Sequence, residues 1–428
     1  MKVTVERRDP TELVFVAEDV DQAVMNSLRR VIMSEVPYVA IDKDSVMFFK
    51  NTHVLHNHFF AARLSMLPVH LSRGEADAYV PGSIKVFLDA KNDRSDSTGG
   101  TKVMDITSAD LTVTLHDREH PDAARLFPAS DVTGDHVLLT VLKPGEALKC
   151  EATVVKGCGH ASFAVASKVA YSPILDDKLL GAAREKAGKS DRERNRFEHI
   201  DSKRCFARGP DGNPRAFRFV VESECGMSAV DIVESALTVL ENKCATAKAR
   251  VLENAGTGIT VLEIANEGHT LGNLLQSCGV DDLMGPDKPL KFVGYHCPHP
   301  LEKRFVMNVV ADDPLASFEA MKEAAAKRLA DLRFQLSEET ARASPQSGQD
   351  AKGVQGVPPS TPLLGSPKVK SDTVADKSAE PDADKDADTD ADKSLDEKTA
   401  EPDIDMGTKK APKSTKAKTV AKSTQVSK

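Results

Sequence analysis

The sequence predicts an α+β protein made of two similar halves in one chain. The first half is interrupted by an inserted, mostly β domain, and the second is followed by a disordered tail. Three observations predict this. The order strand, helix, strands, long helix occurs twice. The second occurrence runs unbroken over 256–338, whereas the first is split into 1–63 and 215–252 around an insertion at 64–214. From 339 to 428 there is no aromatic residue, and Ala, Asp, Lys, Ser, Thr and Pro dominate. Such a segment buries too little apolar surface to offset its ordering entropy.

Taken in order, TELVFVAED (11–19) reads as a strand and VDQAVMNSLRRVIMSE (20–35) as a helix. VAIDKDSVMFF (39–49) reads as a strand or half of a hairpin. FRFVVESEC (217–225) reads as the last strand of the first half. The long helix over 228–251 follows, with Ser228 and Asp231 set for a capping box. In the second half, GITVLEIANE (258–267) is a strand and HTLGNLLQSC (269–278) a helix. KFVGYHC (291–297) and KRFVMNVV (303–310) are strands, and 314–336 is a helix with Asp313 as its cap and Pro314 in its first turn. Apolar residues recur at helical spacing and define the candidate dimerisation core: Val24, Leu28 and Val31, then Leu237 and Leu240, then Leu271 and Leu275, then Phe318, Leu329 and Leu332. Each stripe needs a partner surface, and pairing the two halves about a pseudo-two-fold axis supplies one. The joint between them is expected near ENAGTG (253–258), six residues that reach roughly 20 Å when extended.

The opening helix separates into two faces. At 100° per residue the core positions lie on one side, and Asn26, Arg29, Arg30 and Met33 form a stripe on the other. Periodicity alone suits a solvated face. An Arg-bearing stripe without intervening acids also suits bidentate contact with carboxylates or backbone oxygens of a partner. Gly272 interrupts a helical pattern, where glycine costs about 1 kcal/mol relative to alanine. Something therefore approaches the backbone there, either another part of the fold or a partner. Thr270 is a candidate cap for that helix.

Bulk properties narrow the function. The chain has 428 residues, a net charge of −8 and no tryptophan, so any nucleic-acid contact has to come from a local patch. The N-terminal MKVTVERRDP lacks an apolar signal region, and no run approaches the roughly 18 apolar residues of a membrane span. The seven cysteines include no CxxC pair, which suits reduced thiols. His53, His56 and His58 lack a nearby acid ligand and read as packing and hydrogen-bonding residues. AGKS (187–190) resembles the end of a phosphate-binding loop, but Ala183 stands where its first glycine belongs. No nucleophile, base and acid are spaced as a catalytic set. The tail is acidic around 376–405 and basic over 409–428. It also holds Ser344-Pro345, Thr361-Pro362 and Ser366-Pro367, candidate phosphorylation sites.

NSLRRVIMSEVPYVAID (26–42) and VLHNHFFAARLSMLPV (54–69) resemble the alpha-type assembly subunits of multisubunit DNA-directed RNA polymerases. So do KGCGHASFAVASKVAY (156–171), which departs from the family pattern by two residues before its His, and the strand and helix over 217–244. HTLGNLL (269–275) and GYHCPHPLEKRFVMNV (294–309) resemble the small partner subunit of the same family. The resemblance covers about 1–336 with its order preserved. It implies an α+β dimerisation domain in each half and an intramolecular pseudo-dimer. It also implies a non-catalytic platform that docks the two largest polymerase subunits and reaches DNA only through the complex. Asn26, Arg29 and Arg30, with His269, Thr270, Gly272 and Asn273, are the implied partner-binding residues. Some relatives hold metal through clustered cysteines in the insertion. Here Cys150, Cys158 and Cys205 are far apart, so no metal and no cofactor are expected. Fused halves of this kind resemble those of large DNA viruses, which implies a viral origin and a site of action in the nucleus or a cytoplasmic viral factory. The rival readings are a free-standing nucleic-acid-binding protein acting through the Lys-rich tail, an enzyme built on the insertion, and a swapped homodimer.

Overall fold

The computed structural model describes residues 1–342 apart from 94–101, 117, 120–122, 132, 188–189, 210–211 and 256–257. The expectations for the charged tail beyond Arg342 and its Ser/Thr-Pro sites lie outside the described residues, as do the two central residues of AGKS. Along the chain run β1 (Lys2–Arg8), β2 (Glu12–Glu18), α1 (Gln22–Ser34), β3 (Tyr38–Ile41), β4 (Met47–Asn51), α2 (Asn57–Ser65) and α3 (Arg73–Asp77). Next come β5 (Ile84–Lys91), β6 (Met104–Thr107), β7 (Leu111–Leu115), β8 (Arg118–Glu119), α4 (Ala123–Leu126), β9 (Leu138–Leu142), β10 (Ala147–Gly157) and β11 (Ala166–Pro173). Then follow α5 (Asp177–Lys186), α6 (Asp191–Arg196), β12 (Ala216–Ser223), α7 (Ala229–Thr246) and β13 (Ala249–Ala255). The second half closes with β14 (Ile259–Ala265), α8 (His269–Cys278), β15 (Leu290–His296), β16 (Arg304–Ala311) and α9 (Pro314–Arg342).

Two antiparallel sheets share one topology. The first has the order β1-β2-β12-β11 and the second β13-β14-β16-β15, so in each half the strands lie first, second, fourth, third. The likeness extends to irregularities. The first strands shift register at Val5/Arg7 and Val251/Glu253. The third strands shift at Ala166/Lys168 and Leu290/Phe292, each opposite the end of the fourth strand. Asp19 and Asn266, each directly after the second strand, have φ of 55° and 62°. These short polar side chains tolerate the left-handed region that turns the chain into the following helix. Ser228 caps α7 through the Asp231 N–H (3.1 Å), and Asp313 caps the start of α9 through the Ala316 N–H (3.0 Å).

The four helices pack together between the halves: α1 on α7 and α8, and α9 on α7 and α8. Val24, Leu28, Val31, Leu237, Leu240, Leu271, Leu275, Phe318, Leu329 and Leu332 are all fully buried there. Burying each such side chain contributes about 1.5–3 kcal/mol. The last turns of α9 run on to β1, where the Arg8 guanidinium donates to the Thr340 carbonyl.

Sheet pairing departs from the expected boundaries in three places. β11, read as part of the 64–214 insertion, is the edge strand of the first dimerisation sheet. β3 and β4, read with residues 1–63, belong to the sheet of the insertion. The stretch 39–49 is not a single strand or half-hairpin: a 3-10 turn at Lys43–Ser45 separates β3 from β4, and both pair with β10, end to end along one edge. The insertion's sheet then continues through β5, β7 and β8, with β6 and β9 pairing apart. The joint is not a free linker either. The expected helix over 228–251 stops at Thr246, and β13 begins at Ala249 as the first strand of the second sheet.

Tyr38 locks the insertion to the first half. Its buried hydroxyl lies 2.7 Å from the Leu71 carbonyl and accepts the N–H groups of Leu71 (3.0 Å) and Gly226 (3.3 Å). Burial raises its pKa above the ordinary phenol range, which keeps it a neutral donor. Gly226 is required because a Cβ there would sit 2.6 Å from the Leu71 backbone. Gly226→Ala is expected to destabilise the protein by about 1–3 kcal/mol, read by chemical unfolding, because backbone rather than a mobile side chain must move. An unchanged unfolding midpoint would contradict this close approach.

Candidate protein-interaction interface

The candidate interface lies where α1 meets α8. Asp21 caps α1 by accepting the Ala23 N–H. Gly268 occupies the same place before α8 and offers no side-chain cap, so Thr270 does not cap that helix as expected. Thr270 is instead 7% exposed and faces α1. Its carbonyl accepts the Ser27 hydroxyl (3.2 Å), and its own hydroxyl accepts Arg30 Nε (2.9 Å). An arginine of one half is thus oriented by a threonine of the other. Arg29 is held along its own helix by Asn26 Oδ1 (3.0 Å) and Met33 Sδ (3.0 Å). Asn26 and Asn273 line one cleft, whereas Arg30, His269 and Thr270 line another.

Gly272 is explained within the fold. A Cβ there would lie 2.6 Å from the Tyr295 ring. Tyr295 stands edge-on to Phe305 and His269, and its hydroxyl is 3.4 Å from His269 Nδ1. The first half repeats the arrangement: Tyr171 stands edge-on to Phe217 and accepts Gln22 Nε2 at 3.2 Å. Gln22 and His269 are each the first residue of their helix. Of the implied partner-binding residues, Asn26, Arg29, Arg30, His269 and Asn273 retain accessible surface, while Thr270 and Gly272 are buried.

Sequence reasoning missed the charges that fasten the halves. Lys243 of α7 bridges Glu35 after α1 (2.8 Å) and Glu267 before α8 (2.7 Å). Arg328, at the same place in α9, holds Asp281 (3.2 Å) and Asp282 (2.9 Å) after α8, and Arg215 reaches Asp281 from the first half (3.0 Å). Arg333 of α9 bonds Glu241 (2.9 Å) and Thr238 (3.0 Å) of α7. Burial alone would lower the Lys243 pKa, but the Glu267 and Glu35 carboxylates outweigh it and hold the ammonium above its ordinary value.

Elsewhere, His53 bonds the Val141 carbonyl (3.0 Å) and His56 caps α2. Among the described residues no three His, Cys, Asp or Glu side chains gather as a metal ion would require. No helix among them is long and apolar enough to cross a membrane.

Residues 14–244 match the RNA polymerase Rpb3/Rpb11 dimerisation domain, and residues 260–337 match a second form of it. The chain belongs to the Rpb3/Rpb11 dimerisation-domain family. It carries the domain twice, in agreement with the two sheets of one topology. The DNA-directed RNA polymerase II subunit RPB3 of Schizosaccharomyces pombe is 26% identical over 287 residues, 62% of this chain and 92% of the relative. The human DNA-directed RNA polymerases I and III subunit RPAC1 is 25% identical over 195 residues, 42% of this chain and 56% of the relative. The polymerase subunit Rpo3 of Pyrobaculum arsenaticum is 27% identical over 195 residues, 43% and 69% of the respective chains. The chain therefore spans just over half of the human relative and most of the fission yeast one.

Lys243→Met would strand Glu35 and Glu267 across the Rpb3/Rpb11-type pairing. The expected loss is about 1–3 kcal/mol, discounted from a fully buried pair because the site is partly exposed. A raised folded-state pKa contributes stability that is full below the unfolded lysine value, about 10.4, and is lost as pH rises through the folded one. Unfolding curves should show a constant difference between wild type and variant through neutral pH, shrinking only at strongly alkaline pH.

Proposed function

We propose that this chain is a non-catalytic assembly-platform subunit of a DNA-directed RNA polymerase. Its two halves pair within one chain and present the α1–α8 face to the two largest subunits. Nucleotide addition belongs to those partners, and DNA is met only through the complex. The observation that carries the reading is the Arg30–Thr270 contact. It makes one surface out of two halves, so that neither half alone presents Asn26, Arg29 and Arg30 together with His269 and Asn273. Thr270 and Gly272 serve the face from beneath, the first by aiming Arg30 and the second by admitting Tyr295. The relatives, all named as polymerase subunits, support the same role.

Replacing Arg29 and Arg30 with Glu tests it. The double variant should fold, by circular dichroism, yet recover the two large subunits at least about tenfold less well on purification. Undiminished recovery would contradict the docking face. Removing 343–428 should leave incorporation intact; loss of incorporation would favour a role carried by the Lys-rich tail.

A further inference from the structure

Each feature on one flank of the α1–α8 crossing has a counterpart on the other. The Lys243 cluster opens into a cleft of about 530 Å³, and the Arg328 cluster into one of about 480 Å³. Lys303 and Arg215 each directly precede the fourth strand of their half and line these clefts. The walls have nonetheless diverged in charge. Asp19, Asp21 and Asp331 line the Arg328 cleft. The corresponding places in the other half hold Asn266, Gly268 and Thr246, none of them charged.

On the Lys243 side every carboxylate is already engaged. Glu35 and Glu267 hold Lys243, and Glu302 holds Arg304 at 2.6 Å. Two cationic heads remain. Arg30 uses Nε on Thr270, and among the described residues its terminal nitrogens have no acceptor. Lys303 is exposed, and its ammonium has no partner among them. Beside them the turn after β15 carries Pro300 and Leu301, the latter 87% exposed.

We propose that the Arg30–Lys303 cleft seats an acidic segment of a protein partner. One carboxylate lies against Arg30 and Lys303, and an aliphatic neighbour covers Leu301. This inference rests on the docking reading above and names the chemistry of its partner. A protein segment fits better than a nucleic acid. With Glu35 and Glu267 held by Lys243 and Glu302 by Arg304, the cleft offers only the two cationic heads left without an acceptor among the described residues, which suits a single carboxylate rather than a continuous phosphate chain. No Phe, Tyr or Trp lines the cleft to stack a base, and of its two imidazoles, His269 and His299, the first already stands edge-on to Tyr295. The Arg328 cleft, with its additional aspartates, would reject the same segment, so the two flanks sort unlike partners.

The test uses the full chain within the purified polymerase. A photo-crosslinking amino acid at Leu301 should join to a protein segment bearing Asp or Glu within a few residues of the attachment point. Lys303→Glu should weaken incorporation about three- to tenfold at low salt, with a smaller effect at high salt, while Lys303→Arg retains wild-type incorporation. Crosslinking to nucleic acid, or to a segment without carboxylates, would overturn the proposal. So would an assembled complex indifferent to Lys303→Glu, and in that case the docking reading would stand. Failure of the wild-type chain to enter the complex would overturn both.

Discussion

The structure depends on the mutual burial of two helix pairs. In each half the sheet covers one side of its helices, and the remaining apolar stripes have no cover except the other half. Leu237 and Leu240 on α7 and Leu329 and Leu332 on α9 are fully buried, and α7 packs on α9 across the two halves. Hydrophobic burial is non-directional, so it brings the helices together without fixing their register. Register comes from the polar groups at the edges: Lys243 and Arg328 at the two ends, Arg333 between α7 and α9, and the Ser27–Thr270–Arg30 contact at the α1–α8 crossing.

The two halves share one topology within one chain but are not identical. The pseudo-symmetry survives in backbone features, including bulges, left-handed corners and strand order, because these serve the fold in either half. It is lost in side chains that face outward. Asp19 and Asn266 share a backbone conformation yet differ in charge. The connection between β11 and β12 carries α5 and α6, whereas that between β15 and β16 is a short turn. The proposed docking of two different large partners would draw on this combination of like scaffolds and unlike surfaces.

The second half was largely legible in the sequence, because it is contiguous and its signals are local: Asp313 and Pro314 at the start of α9 and a long apolar stripe after them. The first half was less so. The chain leaves it and returns, and strand pairing across that distance has no sequence period. β11 (ASKVAYSP) has no apolar run to mark it as a dimerisation strand, and β13 (ARVLENA) overlaps the end of the helical pattern over 228–251 and the start of the expected joint. At the interface, periodicity exposed the Arg29–Arg30 stripe and glycine cost marked a close approach at Gly272. The occupants, Thr270 for Arg30 and Tyr295 for Gly272, were invisible because each contact is made in three dimensions. The Lys243 and Arg328 clusters gave no local pattern for the same reason.

Closure of the two halves upon each other within one chain is most directly tested by the mass of the isolated protein in solution. With α7 packed on α9 and β13 leading straight into the second sheet, sedimentation should give a single species at the chain mass of 46.2 kDa across a wide concentration range. A stable species of twice that mass, with helices exchanged between copies, would contradict intramolecular pairing.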